Sequence, residues 1–418
     1  MTRERIAVIG AGVAGLTASY VLRRRHDVEL FDARGTLGGH ADTHRVRTPD
    51  GASVPVDTGF IVHNTTTYPL LTRLFTELGV TTQPCEMSMS VQCDECGLAY
   101  AGGKGGRGLM TAGPRGARLR FARLLAELPR FQRTARALSA GPDDGRTLGQ
   151  VLAAGGHSRY FADHYALPLV ATVWSAGETA SPDHPAHHLF RFLANHGLLG
   201  VRGSLAWRTV VGGSREYVDR VAALLPRVHR GVPVQTVRRH ADGVDVVTAD
   251  GTAHRFDRVV VATHADQALA LLADPTTAEK QVLDSFAYSR NVMQLHTDPT
   301  LLPATPRARA SWNHRKSSCR GGDHVVVSYD MNRLMRLAEP LDYVVTLNGA
   351  DRVDASRVLA ADIYEHPVYT PQTLAAQARL PELNSSRCVF AGAYHGWGFH
   401  EDGCASGVRA AAAFGVTW

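Results

Sequence analysis

Three glycines, at positions 10, 12 and 15, constrain this chain more than any other feature. Arg5 to Ile9 reads as a short buried strand, and Ala14 to Arg24 as a helix with apolar members Leu16, Ala18, Tyr20, Val21 and Leu22. The glycines occupy the turn between them. Gly10 lets the chain leave the strand, Gly12 lets backbone approach a pyrophosphate, and Gly15 lets the helix lie against the strand. The first N–H groups of such a helix, around Val13 and Ala14, have no partner within it and carry partial positive charge, which favours a phosphate. A second strand, Asp27 to Phe31, ends in Asp32 and Ala33, and Asp32 stands 22 residues after Gly10. A carboxylate there accepts both hydroxyls of a ribose. Strand, glycines, helix, strand and acid in this order predict a βαβ unit that binds a dinucleotide.

The next segment narrows the dinucleotide. Gly35-Thr36-Leu37-Gly38-Gly39-His40 resembles the second glycine motif of FAD-dependent amine oxidases and carotenoid-type desaturases, in which arginine usually stands at the position of His40. Val56-Asp57-Thr58-Gly59-Phe60 resembles the strand and turn that approach the isoalloxazine ring in that superfamily, and Gly212-Gly213-Ser214-Arg215-Glu216-Tyr217 resembles its return to the FAD lobe. The resemblance further implies that the backbone of Val234 meets the adenine and that Ala262-Thr263 passes near the cofactor. The C-terminal stretch is similar without a gap: Cys388 to Gly392 as strand and turn, then Gly398-Phe399-His400-Glu401-Asp402-Gly403 opening a helix. By that likeness the backbone at Phe399, His400 and Glu401 faces the pyrimidine edge of the flavin, where a helix N-terminus favours the charge of the reduced ring. Trp397 and Phe399, with His395 beside them, then face the substrate.

The resemblance spans most of the chain and implies an α/β, two-lobed amine-oxidase-like flavoprotein. Residues 1–83, 205–283 and 388–418 would form the Rossmann-type FAD-binding lobe, holding FAD non-covalently. Residues 84–204 and 284–387 would form a discontinuous mixed α+β substrate lobe. The whole looks like a bacterial branch often associated with cyclopropane-fatty-acid-synthase-like methyltransferases, some relatives of which are implicated in desaturating methylated acyl chains. That branch implies a methyltransferase partner and a fatty-acyl substrate. Amine oxidases of the superfamily commonly place a lysine beside flavin N5, and the matching segment, Asn291 to Thr297, contains none. Two enzyme readings follow: hydride abstraction from a hydrophobic substrate, or an amine or amino-acid oxidase releasing peroxide. A third is a non-catalytic flavin-binding partner of a methyltransferase.

Composition sets the outer bounds. A chain of 418 residues fits about two to three domains. Its net charge of +6 is carried almost wholly by arginine, with only Lys104, Lys280 and Lys316 as lysines, and is too modest for a dedicated nucleic-acid binder. No apolar run reaches the length of about 18 residues that a membrane span needs, and the first residues do not read as a secretory signal, so a reducing cytoplasm is expected. Arg115 to Leu138 reads as one or two helices with seven arginines against Glu127. It is either a solvated basic face or a surface that meets anionic membrane. Ala166 to Trp174 and His188 to Leu199 read as buried helices lining an apolar pocket. Cys93-Asp94-Glu95-Cys96-Gly97 has the shape of half a zinc knuckle, but no second pair with suitable spacing follows and only Cys85 is near in sequence. The expectation is a turn or thiol pair, with no metal. Of twenty histidines, His296, His314, His395 and His400 lie near motifs, and none has the context of a base.

Overall fold

The computed structural model describes residues 3–48, 50–104, 108, 113–175, 177–199, 205–322 and 325–418. At its centre five strands lie parallel in the order Arg227–Arg230, Asp27–Asp32, Arg5–Ile9, Arg258–Val261, Cys388–Phe390. Successive side chains of a strand point to opposite faces, and here both faces are apolar. Ile6 and Val8 join a core with Val28, Leu30 and the helices Val13–Leu22, Pro69–Glu77, Arg215–Ala223 and His400–Ala413. Ala7 and Ile9 join the opposite core, beneath the antiparallel strands Val234–His240, Gly243–Thr248 and Ala253–Phe256 and the helix Ala265–Leu271.

The two ends of the chain meet in this lobe. The C-terminal helix lies so close to the N-terminal one that a Cβ on Gly407 would stand 2.4 Å from the Ala14 carbonyl oxygen. One buried charge is enclosed by the sheet. Glu29, 3% exposed, accepts from Arg5, Arg227 and His229 at 2.9, 2.8 and 3.1 Å. Burial acts to raise its carboxyl, but these partners outweigh it and hold the group below its usual range.

A seven-stranded sheet builds the second layer, in the order Val358–Pro367, Tyr288–His296, Val344–Leu347, Val326–Asp330, Trp312–Lys316, Met89–Cys93, Ala99–Gly102. All its pairs are antiparallel except the parallel pair of Trp312–Lys316 with Met89–Cys93. Helices between residues 115 and 195 pack on it through Phe121, Leu124, Phe131, Phe161, Phe190 and Leu193. Arg115–Ala140 is one continuous helix, with Pro129 inside it. The helix expected over His188–Leu199 is instead Ala186–Asn195, and the chain turns at His196, whose Nδ1 lies 2.9 Å from the Phe192 carbonyl oxygen. Leu167–Trp174 is helical as expected, preceded by a wider π-type turn at Ala162–Ala166. Pro84 closes the strand Thr82–Pro84, which pairs with Trp207–Val210. The expected crossing at residues 204 and 205 borders residues 200–204, which lie outside the described residues. Between the layers Arg34 pairs with Asp362 at 2.9 Å, and the Tyr364 hydroxyl meets Thr58 Oγ1 at 2.6 Å and Asp42 at 3.1 Å.

Candidate active site

The site begins at the carboxyl ends of the parallel strands, where such sheets bind their ligands. Gly10 leaves its strand with φ +99°, a conformation that favours glycine, and a Cβ there would sit 2.6 Å from the Ala262 carbonyl oxygen, beside Thr263. No side chain caps the helix that starts at Val13, so its first N–H groups at Val13 and Ala14 are left for a ligand. A Cβ on Gly12 would point into space with no atom within 4 Å. The second glycine motif folds back onto the first: the Gly38 N–H donates to the Ala11 carbonyl at 2.9 Å, and Gly38 bridges Gly12. Gly39 also packs against Gly12. The two motifs thus form one wall, open where a pyrophosphate needs backbone. Asp32 is fastened by the Ala11 and Arg34 N–H groups at 2.7 and 2.8 Å, and its carboxylate keeps lone pairs for a ribose. The Val232 N–H donates to the Asp32 carbonyl at 2.9 Å, which brings the start of the Val234 strand to the same end of the sheet. Ala33 is exposed beside it.

Further along this wall the Phe60 N–H donates to the His40 carbonyl at 2.6 Å, and Gly59 packs on the same carbonyl. His40 Nε2 is buried with no hydrogen-bond partner among the described residues. Burial, then the neighbouring His366, His264 and His400, hold His40 well below its ordinary pKa, so it is a neutral imidazole that can still donate one hydrogen bond. An orphaned donor beside a bare glycine wall fits a cofactor oxygen. Phe60 stacks on His400 at 3.8 Å, and His400 Nε2 lies 3.2 Å from the Tyr217 hydroxyl; burial pushes His400 down to about 3. Glu401 turns away from this wall. Its carboxylate accepts the N–H groups of Leu70 and Leu71, both at 2.9 Å, at the start of the helix Pro69–Glu77, which leaves only its backbone for a cofactor. Asp57 is also structural: it is buried and accepts from the Thr43 hydroxyl and from Ser214, joining two of the motifs seen in sequence.

The C-terminal loop meets the second layer through aromatic rings. Phe399 stacks on Phe192 at 4.8 Å, and its N–H is held by the Asp402 carboxylate at 2.9 Å. Trp174 donates from Nε1 to the Trp397 carbonyl at 3.1 Å, and Tyr369 donates to the Gly396 carbonyl at 2.9 Å. Gly392 follows the last strand and is fixed by its N–H to Ser406 Oγ at 2.9 Å. A cleft of about 310 Å³ opens onto Trp397 between His188, Arg191, Gln377 and Asp402. Three imidazoles here are neutral: burial lowers His184 to about 3 and His395 to about 3, and holds His188 well below its ordinary value. His395 Nε2 is buried without a hydrogen-bond partner among the described residues. His296 and His314 are committed elsewhere, His296 to Thr346 and Asp298, His314 to Thr172 and Glu178. Sequence reasoning placed Trp397 and Phe399. It had Trp174 and Phe192 on helices expected to line an apolar pocket without singling out either ring, and it did not single out Tyr369, whose loop position carries no local mark.

The model of the family described as flavin containing amine oxidoreductase matches residues 13–414. The chain belongs to the flavin-containing amine oxidoreductases. It is an FAD-dependent oxidoreductase of that family, and bound FAD supplies the acceptor for two electrons. Among solved structures, a putrescine oxidase mutant superposes with a TM-score of 0.71 at 18% identity, covering 98% of each chain. A CLA-producing fatty acid isomerase from P. acnes gives 0.71 at 16% identity, covering 99% of each. Cyclohexylamine oxidase from Brevibacterium oxydans gives 0.69 at 17%, covering 99% of this chain and 98% of that one. These likenesses establish the two-lobed amine-oxidase-like fold. No curated protein sequence matches. No helix among the described residues is long and apolar enough to cross a membrane.

Proposed function

We propose that this flavoenzyme abstracts hydride from a hydrophobic, fatty-acyl substrate, with FAD held non-covalently by the glycine wall and the C-terminal loop. The observation that carries the reading is the surface joining the two layers, made of Trp174, Phe192, Trp397 and Phe399 and bordered by neutral histidines. Such a wall binds by burying apolar area, worth about 25 cal/mol per Å² before ordering costs. Arg191, at the mouth of the cleft beside Trp397, has no carboxylate partner among the described residues and suits an anionic head group. The similarity in fold to a fatty acid isomerase agrees with an acyl chain. None of the three lysines lies on the strand Tyr288–His296, so the chain supplies orientation and exclusion of water rather than a lysine-held water.

Asp402 favours a second reading. Burial lifts its carboxyl to about 6, so it is largely anionic at neutral pH, and it lies on the same cleft, where an ammonium could meet it. The similar folds of putrescine and cyclohexylamine oxidases support that alternative. Anaerobic bleaching of the flavin against acyl lipids, methylated acyl lipids, amines and amino acids separates the two. Bleaching by long acyl substrates, weakened in Arg191→Gln mainly through KM, is expected. Rapid bleaching by a small amine with no response to any lipid would replace the acyl reading with the oxidase one.

The exposed arginines of the helix Arg115–Ala140 support a peripheral contact with anionic lipid from which an acyl chain could be drawn, and an association with a methyltransferase acting on the same lipids belongs to the same reading.

A further inference from the structure

The Cys93–Cys96 pair is completed by residues that sequence spacing could not connect to it. Cys319, from the loop after the strand Trp312–Lys316, and His164, from the π-type turn Ala162–Ala166, converge on the pair so that the four ligand atoms lie within 4.8 Å of one another. Cys93 Sγ is 3.8 Å from Cys319 Sγ, and Cys96 Sγ is 3.6 Å from His164 Nε2. A tetrahedral ion with bonds of about 2.3 Å to sulfur and about 2.0 Å to nitrogen sets sulfurs about 3.8 Å apart and sulfur about 3.5 Å from nitrogen. The two observed separations match both.

The surroundings hold each donor toward that point. Cys93 closes its strand, its N–H bonded to the Leu98 carbonyl at 2.8 Å and its carbonyl accepting the Gly97 N–H at 3.0 Å, with Gly97 at φ +70°, so the two thiols face the same way across a tight turn. The residues between the cysteines fasten the third ligand. Glu95 accepts the Cys319 N–H at 2.8 Å, and Asp94 accepts from Arg315 at 3.1 Å. His164 is 1% exposed and its Nδ1 lies 3.2 Å from the Tyr160 carbonyl. A carbonyl only accepts, so Nδ1 carries the proton and the lone pair of Nε2 faces the sulfurs, the arrangement that orients a metal-bound imidazole. The ring is stacked on Tyr160 at 4.0 Å, and the Lys316 amine donates to the Asp163 carbonyl at 2.7 Å, fixing the turn that carries His164.

We propose that Cys93, Cys96, Cys319 and His164 form a closed tetrahedral zinc site. Three thiolates and one imidazole are the soft donors that select Zn(II), and four protein ligands leave no open position, so the ion is structural. It staples the turn at 93–96, the helical segment at 164 and the loop at 319 into one body.

The test uses the full-length flavoprotein, expressed with added Zn(II) and desalted. Elemental analysis is expected to return about one zinc per chain. Protein grown with Co(II) should show tetrahedral d–d absorption to the red of the flavin bands. Cys319→Ser and His164→Gln should lose zinc at least about fivefold while keeping their flavin, and Cys85→Ser should retain both. If the two site variants do not fold, the zinc content and cobalt spectrum of the wild-type protein decide. A wild-type protein without stoichiometric zinc, one carrying iron there, or a Cys93–Cys319 disulfide in its peptide map would overturn the assignment.

Discussion

At the scale of single residues, Gly12 separates folding from cofactor binding. A Cβ at this position meets no protein atom, so Gly12→Val should fold with little change in Tm. Its side chain would occupy the place the pyrophosphate needs, so the purified variant should carry much less FAD, read from the flavin absorbance per chain. Full occupancy would mean that the glycine wall is not the cradle. Glu401 makes a prediction in pH. Burial lifts its folded carboxyl to about 7, above the ordinary 4.5, despite the bonds from Leu70 and Leu71. Between those values the folded protein holds the proton more tightly than the unfolded chain, so this group's contribution to stability falls as pH rises from 4.5 to about 7, and is level above it. Glu401→Gln removes the titration. Its Tm should therefore gain on wild type between about pH 5 and about pH 8, and a constant difference would refute the shift. Glu29 has the opposite sign, because its pKa is lowered: its stabilisation is present above the ordinary carboxylate range and is lost as pH falls through the folded value. Glu29→Gln should cost about 1–3 kcal/mol at neutral pH in denaturant unfolding, kept modest because Arg5 and Arg227 are half exposed and can be solvated. Gly12 was legible from sequence because a phosphate cradle leaves a spacing rule. Glu401 was not, because a carboxylate one residue into a helix points either to a ligand or to a neighbouring helix, and only packing chooses.

Two helices carry testable weight. The N-terminal helix Val13–Leu22 is buried along its whole length, and the C-terminal helix approaches it closely where residues 403 and 407 have no side chain. Gly407→Val should push backbone from backbone and destabilise the fold by about 1–3 kcal/mol or more, with loss of flavin following loss of structure. That order distinguishes it from Gly12→Val. The helix Arg115–Ala140 shows the other face of the problem. Phe121, Leu124 and Phe131 are buried, and where the sequence suited one helix or two the structure has one, continuous through Pro129. Arg115, Arg118, Arg123 and Arg133 are exposed with no carboxylate partner among the described residues, and Leu119 beside them is 68% exposed. Co-sedimentation with anionic vesicles should fall as salt rises and fall again when three of these arginines become glutamine, since attraction to a charged surface is screened within about 8 Å at physiological ionic strength. Salt-independent binding, or none, would leave the helix a solvated face.

For the whole molecule, the cofactor wall draws on residues near both ends of the chain and on segments between them, so FAD should act as a fastener of the fold. Removing it should lower Tm, and added FAD should restore it, by about 4 kcal/mol at a free concentration a thousandfold above Kd. Calorimetry of apo and reconstituted protein reads this directly, and equal transitions at saturating FAD would show that the folded chain does not bind it preferentially.

The sequence by itself determined the kind of ligand. Glycine spacing, strand-ending acid and helix N-terminus are local requirements of a phosphate on backbone, and they are written within a few residues of one another. Tertiary structure alone decided what crosses between segments. It set Trp174 and Phe192 against Trp397 and Phe399, turned Glu401 toward the helix Pro69–Glu77, and brought Cys319 and His164 to Cys93 and Cys96. Such contacts depend on which faces two layers present to each other, and side chains 226 residues apart, as Cys93 and Cys319 are, leave no periodicity by which one could foretell the other.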